Sequence, residues 1–301
     1  MGHNQTPRPR ALELAEQISR PVLRVGGFRS TYVPTELGRI HASVARGRGD
    51  LPPVVLLHGL GAAATNFVPL TLALQPHVQS VISVDMPGHG LSARTERHVD
   101  LVEMYRVIAA AIDALCGMPF SLVGNSLGGA MALRYASEYP KRLRSLALLS
   151  PAGAALPPDA LRRVISSFDI QTAKAARAFL ARVYHRPPWY SALVAREVLA
   201  ITRAPAVRAV LGQAERAEAI EPAELGALSM PVLLWWGESE KIFPAEALAY
   251  FRAHLPASAV IERPVGVGHC PHVEIPRRTA ARLVAHWRAA EHARCGSSRD
   301  A

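Results

Sequence analysis

A serine at position 126 sits between glycines in Gly124-Asn125-Ser126-Leu127-Gly128-Gly129, where the apolar run "FSLVGN" (120–125) hands over to an alanine-rich helical pattern at 127–139. A strand that turns at once into a helix needs an unusually tight connection, and glycines there remove side chains that would strike the neighbouring backbone. A serine held on such a turn projects its hydroxyl from the carboxyl edge of the sheet, above a helix N-terminus, where developing negative charge is favoured. Those are the needs of a nucleophile. The same residues would also suit a glycine-rich turn with Ser126 as a helix cap, so the rest of the chain has to decide.

A nucleophilic serine requires a base. Of the twelve histidines, His269 is best placed, in the loop "GVGHCPHVEIP" between the last strand pattern and the last helix. In a parallel sheet such loops gather at the same edge as the serine turn. The base in turn needs a carboxylate to set its tautomer. Between Ser126 and His269 the only aspartates, Asp159 and Asp169, fall in a helical stretch. The loop after "PVLLWWG" offers Glu240 instead, with Glu238 and Glu262 as nearby alternatives. Two backbone N–H groups would complete an oxyanion site: that of Leu127, directly after the serine, and that of Leu60 in "LLHGLGAAATNF" (56–67). His269, Cys270 and His272 lie close together, but without a second cluster they predict no metal, and no cofactor is expected.

Alternating short apolar runs and helical patterns must position these residues. Strands are expected at "RSTYV" and "RIHASVA" as an antiparallel pair. "PVVLLHG", "VISVDMPG", "FSLVGN" and "LRSLALLS" follow as buried parallel strands, with helices at 101–115 and 127–139 among them. Residues 155–226 carry only helical segments. Strand signal returns at "MPVLLWWG" and "SAVIE", with a helix near 245–255 and a final helix at about 277–290. The reading is an α/β core at 29–152 and 227–291, interrupted by a helical cap at 153–226. An N-terminal extension (1–28, with a short helical pattern at 11–19) and a flexible tail (292–301) flank it.

Composition narrows the partners. The net charge is +10, yet the cations are scattered arginines with no dense basic run and no interleaved aromatics, so nucleic acid is not expected. Three widely spaced cysteines make no disulfide framework. No signal peptide or membrane span is read, and a cytoplasmic address is expected. The oligomeric state is not legible.

His58-Gly59-Leu60-Gly61, Asp85-Met86-Pro87-Gly88-His89-Gly90-Leu91-Ser92, the Gly124–Gly129 stretch, "WWGESEKIFP" and Gly268-His269 together resemble the α/β-hydrolase superfamily over roughly 30–290. The resemblance implies an eight-stranded, mostly parallel sheet with a helical lid, and a structural role for Asp85. It implies a carboxylic-ester hydrolase, an esterase or small lipase, with Ser126, Glu240 and His269 as its triad. The substrate would be a small ester with an apolar acyl or aromatic part, met by His58, Asn125, Phe168, Trp189 and Tyr190. "GNS-x-GG" also resembles the carbon–carbon bond hydrolases that cleave vinylogous diketones. Those enzymes, however, carry a glycine- and proline-rich stretch after the first HG, and a tryptophan where this chain has Cys270. A ligand-binding member of the fold without turnover is the third reading.

Overall fold

The computed structural model describes residues 26–94, 99–187 and 191–297. Strands β1 (Phe28–Thr35) and β2 (Gly38–Arg46) form an antiparallel hairpin, turned at Gly38 with φ +91°. Then come β3 (Val54–Leu57), α1 (Val68–Leu74), β4 (Ser80–Val84), α2 (Leu101–Leu115), β5 (Phe120–Ser126), α3 (Leu127–Glu138) and β6 (Leu143–Pro151). Five helices follow: α4 (Pro158–Ser166), α5 (Ala173–Val183), α6 (Ser191–Thr202), α7 (Pro205–Gln213) and α8 (Pro222–Gly226). The chain then returns to β7 (Val232–Trp235), α9 (Ala245–His254), β8 (Val260–Glu262), α10 (Pro271–Glu274) and α11 (Pro276–Ser297).

The strands make one eight-stranded sheet in the order β1-β2-β4-β3-β5-β6-β7-β8. Only β1–β2 and β2–β4 pair antiparallel; every pairing from β4 to β8 is parallel. Because side chains alternate across a strand, the continuous apolar runs feed two cores. Leu122, Leu146, Leu148 and Leu234 face one core with Ile108 and Ile112 of α2, Tyr135 of α3 and Phe251 of α9. Val123, Ala147, Leu149 and Leu233 face the other, with Leu70 and Leu74 of α1 and Leu283 and Trp287 of α11. Each fully buried Leu or Phe of this kind contributes about 1.5–3 kcal/mol of transfer free energy. Helix α2 starts where Asp100 accepts the Glu103 N–H at 2.6 Å, an N-cap placed one residue before the apolar stripe.

The expected strands are all present, and a helical cap lies between β6 and β7. Two features differ from the sequence reading. A 3₁₀ turn (Ala64–Phe67) leads into α1 between β3 and β4, where no helix was predicted: seven residues are too few to show a helical period. The last helix continues to Ser297 instead of ending near 290, so residues 292–297 of the expected flexible tail are helical. The pattern at 11–19 lies outside the described residues. No helix among the described residues is long and apolar enough to cross a membrane.

Candidate active site

Strand β5 ends in a strained residue. Ser126 has φ +54° and ψ −120°, and it is one of two non-glycine residues with positive φ among those described. The cost of such a conformation, about 1–3 kcal/mol, is borne by the packing around it. The glycines show why. A Cβ on Gly124 would stand 2.3 Å from the Gly128 carbonyl oxygen, and one on Gly128 would stand 2.2 Å from that of Leu57. On Gly129 it would meet Pro151 Cβ at 2.6 Å. The first turn of α3 is therefore pressed onto β3 and β6 at backbone distance, leaving Ser126 at the apex and the Leu127 N–H at the helix start.

The loop after β3 abuts this apex: a Cβ on Gly59 would lie 3.1 Å from Ser126 Cβ. Leu60 and Gly61 (φ +74°) follow, and Ala62 N–H closes the turn on the Gly59 carbonyl at 3.1 Å. Asp85, at the end of β4, organises the surroundings. Its carboxylate accepts His41 Nδ1–H at 2.7 Å, Ala64 N–H at 2.6 Å and Leu91 N–H at 2.9 Å. Burial would raise this carboxyl, but the His41 hydrogen bond, aided by His58, holds it below its ordinary value. Asp85 thus ties β2, the 59–64 loop and the 86–92 loop together.

On the far side, His269 Nδ1 meets Glu240 Oε2 at 2.7 Å, with both side chains almost fully buried. The other oxygen, Oε1, accepts Ile242 N–H at 2.7 Å and Phe243 N–H at 3.1 Å. Burial opposes ionisation of Glu240. The His269 charge and hydrogen bond, the Phe243 amide and the neighbouring Ser150 hydroxyl outweigh it and hold the carboxyl below the usual carboxylate range. An ionised Glu240 accepts only, so a ring proton sits on Nδ1, and in the neutral imidazole the lone pair is then the one on Nε2. Phe243 packs edge-on against the His269 ring, centroids 5.4 Å apart.

Two residues expected to meet substrate have other duties. His58 is fully buried; Nδ1 donates to the Gly59 carbonyl at 2.8 Å and Nε2 accepts Met86 N–H at 3.0 Å. Burial lowers its pKa and keeps the ring neutral. Asn125 spends both amide hydrogens on backbone carbonyls, of Leu149 at 2.9 Å and His269 at 3.0 Å. Both ring nitrogens of His58 and both donor hydrogens of Asn125 are thus engaged within the protein. Phe168 pairs with Phe179 inside the cap, ring centroids 5.1 Å apart, and Trp189 and Tyr190 lie outside the described residues. Of the other acids considered, Glu262 grips Arg282 Nε at 2.8 and 2.9 Å and accepts Trp235 Nε1–H at 3.0 Å. Glu238 is exposed and only braces Gly266 N–H, at 3.4 Å. Burial pushes the Cys270 thiol far up, which removes its nucleophilic form. No group of three or more potential metal ligands gathers among the described residues.

One contributor was not foreseen. The end of α5 in the cap runs against the histidine loop: His269 N–H donates to the Val183 carbonyl at 2.8 Å, and His185 Nδ1 lies 2.7 Å from Ser239 Oγ. A Cβ on Gly268 would stand 2.6 Å from that same carbonyl oxygen, so the glycine before His269 is what lets the cap backbone this close. The sequence signal was present in Gly268, but its partner segment lies more than eighty residues upstream. Beside this contact, a cavity of about 300 Å³ opens between α4 and the 240–245 loop, lined by Val164, Ile242, Phe243, Arg163, Arg182 and Lys241.

Residues 52–276 match the family model described as the alpha/beta hydrolase fold, and the chain belongs to that family. Among curated proteins it is similar to a pimeloyl-[acyl-carrier protein] methyl ester esterase of Neisseria meningitidis, 31% identical over 72% of this chain and 88% of that one. The protein of the same description from Xanthomonas campestris is 31% identical over 74% and 90%. Among solved structures, a bacterial membrane phospholipase A superposes with a TM-score of 0.79 at 22% identity, covering 93% of each chain. The 2-hydroxy-6-oxo-6-phenylhexa-2,4-dienoate hydrolase of Rhodococcus sp. superposes with a TM-score of 0.73 at 26% identity, covering 87% of this chain and 99% of that one.

Proposed function

We propose that this chain hydrolyses carboxylic esters through an acyl-enzyme formed on Ser126. The observation that carries the reading is the 2.7 Å bond from His269 Nδ1 to a buried Glu240. It reserves Nε2 as a base on the loop that Asn125 ties to the strained serine turn. In the proposed cycle Nε2 takes the hydroxyl proton as Ser126 Oγ attacks the ester carbonyl. The backbone N–H groups of Leu60 and Leu127 hold the oxyanion, each donor being worth about 10²–10³ in rate. Collapse of the tetrahedral adduct expels the alkoxide, which leaves as the alcohol with the proton from the imidazolium. Water, deprotonated by the same Nε2, then attacks the acyl-enzyme and releases the acid, with the proton returning to Ser126. The esterase relatives at 31% identity support an ester as the bond cleaved.

A second reading, cleavage of a carbon–carbon bond in a vinylogous diketone, draws support from the Rhodococcus hydrolase and the shared fold. The two are separated by offering nitrophenyl esters of two to sixteen carbons and a vinylogous diketone to the wild type and to Ser126→Ala. Ester turnover lost in Ser126→Ala, with circular dichroism unchanged, is the expected result. A diketone consumed far faster than any ester would replace the first reading with the second. No turnover of either would leave the fold as a binding protein.

A further inference from the structure

Resting on the ester-hydrolase reading, we propose that Glu274 is a positioning residue that sets His269 and the cap against each other through one carboxylate. Its Oε1 accepts Gly268 N–H at 2.8 Å, on the residue directly before His269. Its Oε2 accepts His185 N–H at 2.7 Å, on the cap segment whose Val183 carbonyl receives His269 N–H. The segment 183–186 and the histidine loop are thus joined twice, once directly and once through Glu274. The acid loop is included too, because Ser239 N–H donates to the Val267 carbonyl at 2.9 Å while its hydroxyl meets His185.

The chemistry of the side chain fits the task. A carboxylate offers an acceptor to each side and no donor, so it satisfies N–H groups converging from two elements. A glutamine of the same size can satisfy only one side, because its NH₂ would confront an N–H on the other. Glu274 sits at the end of α10, a single short turn held by Thr279 Oγ–H on the Pro271 carbonyl at 2.9 Å, so its backbone is fixed independently of the cap. Small displacements of a general base are expensive, on the order of 10²-fold in rate for 1 Å.

The test compares wild type, Glu274→Gln and Glu274→Asp, with nitrophenyl acetate and octanoate as substrates and a fluorophosphonate as a probe of Ser126 reactivity. Aspartate keeps the charge but is one methylene too short to span both partners. Expected is a fall of about 10- to 100-fold in kcat for both esters in both variants, with KM changed less than twofold and a parallel slowing of phosphonylation. A loss confined to KM for octanoate would mean that Glu274 only seats the cap, and would overturn the proposal. Unchanged kcat and phosphonylation in Glu274→Gln would overturn it as well, as would failure of both variants to fold. Wild-type protein that neither turns over ester nor reacts with the fluorophosphonate would instead sink the ester-hydrolase reading itself.

Discussion

Asn125 donates an amide hydrogen to the backbone carbonyl of His269 at 3.0 Å, across 144 residues of sequence. The residue beside the proposed nucleophile therefore holds the main chain of the proposed base, and its second hydrogen, on the Leu149 carbonyl, anchors both to β6. Cys270 Sγ lies 3.9 Å from the remaining amide oxygen. An asparagine here locks the relation between two loops, and both of its donor hydrogens are spent on that task.

Replacing Asn125 should accordingly cost stability as well as rate. Asn125→Ala strips two buried carbonyls of their donor, about 1–3 kcal/mol apiece. Asn125→Asp adds a carboxylate facing both carbonyls and should be worse. Urea midpoints ordered Asn, Ala, Asp from highest to lowest would bear this out; an aspartate variant as stable as wild type would contradict it.

Glu240 offers a sharper contrast. In Glu240→Gln the amide can donate to Nδ1, which shifts the ring proton to Nε2 and leaves no base facing Ser126. The expected loss in kcat/KM is about 10⁴-fold at nearly unchanged size, whereas Glu240→Asp keeps the acceptor and should lose far less. Equal losses in the two variants would argue that packing, and not proton placement, is what Glu240 supplies.

Two glycine-to-alanine exchanges test the elbow by comparison. Gly128→Ala drives a methyl into the Leu57 carbonyl at 2.2 Å and should give no soluble folded protein. Gly117→Ala meets nothing within 4 Å and needs no positive φ, so it should be neutral or slightly stabilising. Soluble yield of the Gly128→Ala protein and a thermal melt of the Gly117→Ala protein check the two outcomes, and a folded, soluble Gly128→Ala variant would contradict the first.

Acid stability follows from buried histidines. Burial pushes His89 down to about 4 and His272 to about 3, from ordinary values near 6.5. The unfolded chain takes up these protons first, so stability is full above pH 6.5 and falls as pH drops toward the folded values, by up to ~1.4 kcal/mol per pH unit for each ring. His272 stacks on Phe67 with centroids 4.5 Å apart and leaves Nδ1 without a partner. His272→Leu should therefore flatten the slope between pH 6 and 4 by one such increment. Denaturant midpoints across that range measure it, and an unchanged slope would show that His272 does not titrate on unfolding.

The succession of strands along the chain, the cap's location and the serine turn were legible because each leaves a local trace: an apolar run, a gap in the strand signal, a glycine spacing. Glu240 could be picked because only a few acids clear the end of β7. The duties of His58, Asn125 and Glu274 were not legible, since each is defined by a backbone atom elsewhere in the chain, and a backbone atom has no letter in the sequence. The 3₁₀ turn at 64–67 escaped for the opposite reason: its four residues have no period to detect.

The contacts between the cap and the histidine loop carry a consequence for how such a protein can change. Val183 and His185 make them with main-chain atoms, apart from the His185–Ser239 pair. Main-chain bonds survive side-chain exchange. The cap can therefore be re-sequenced, by selection or by an engineer, to fit a different ligand while the loop bearing His269 keeps its place, provided that the α5 end retains its path and Gly268 remains a glycine.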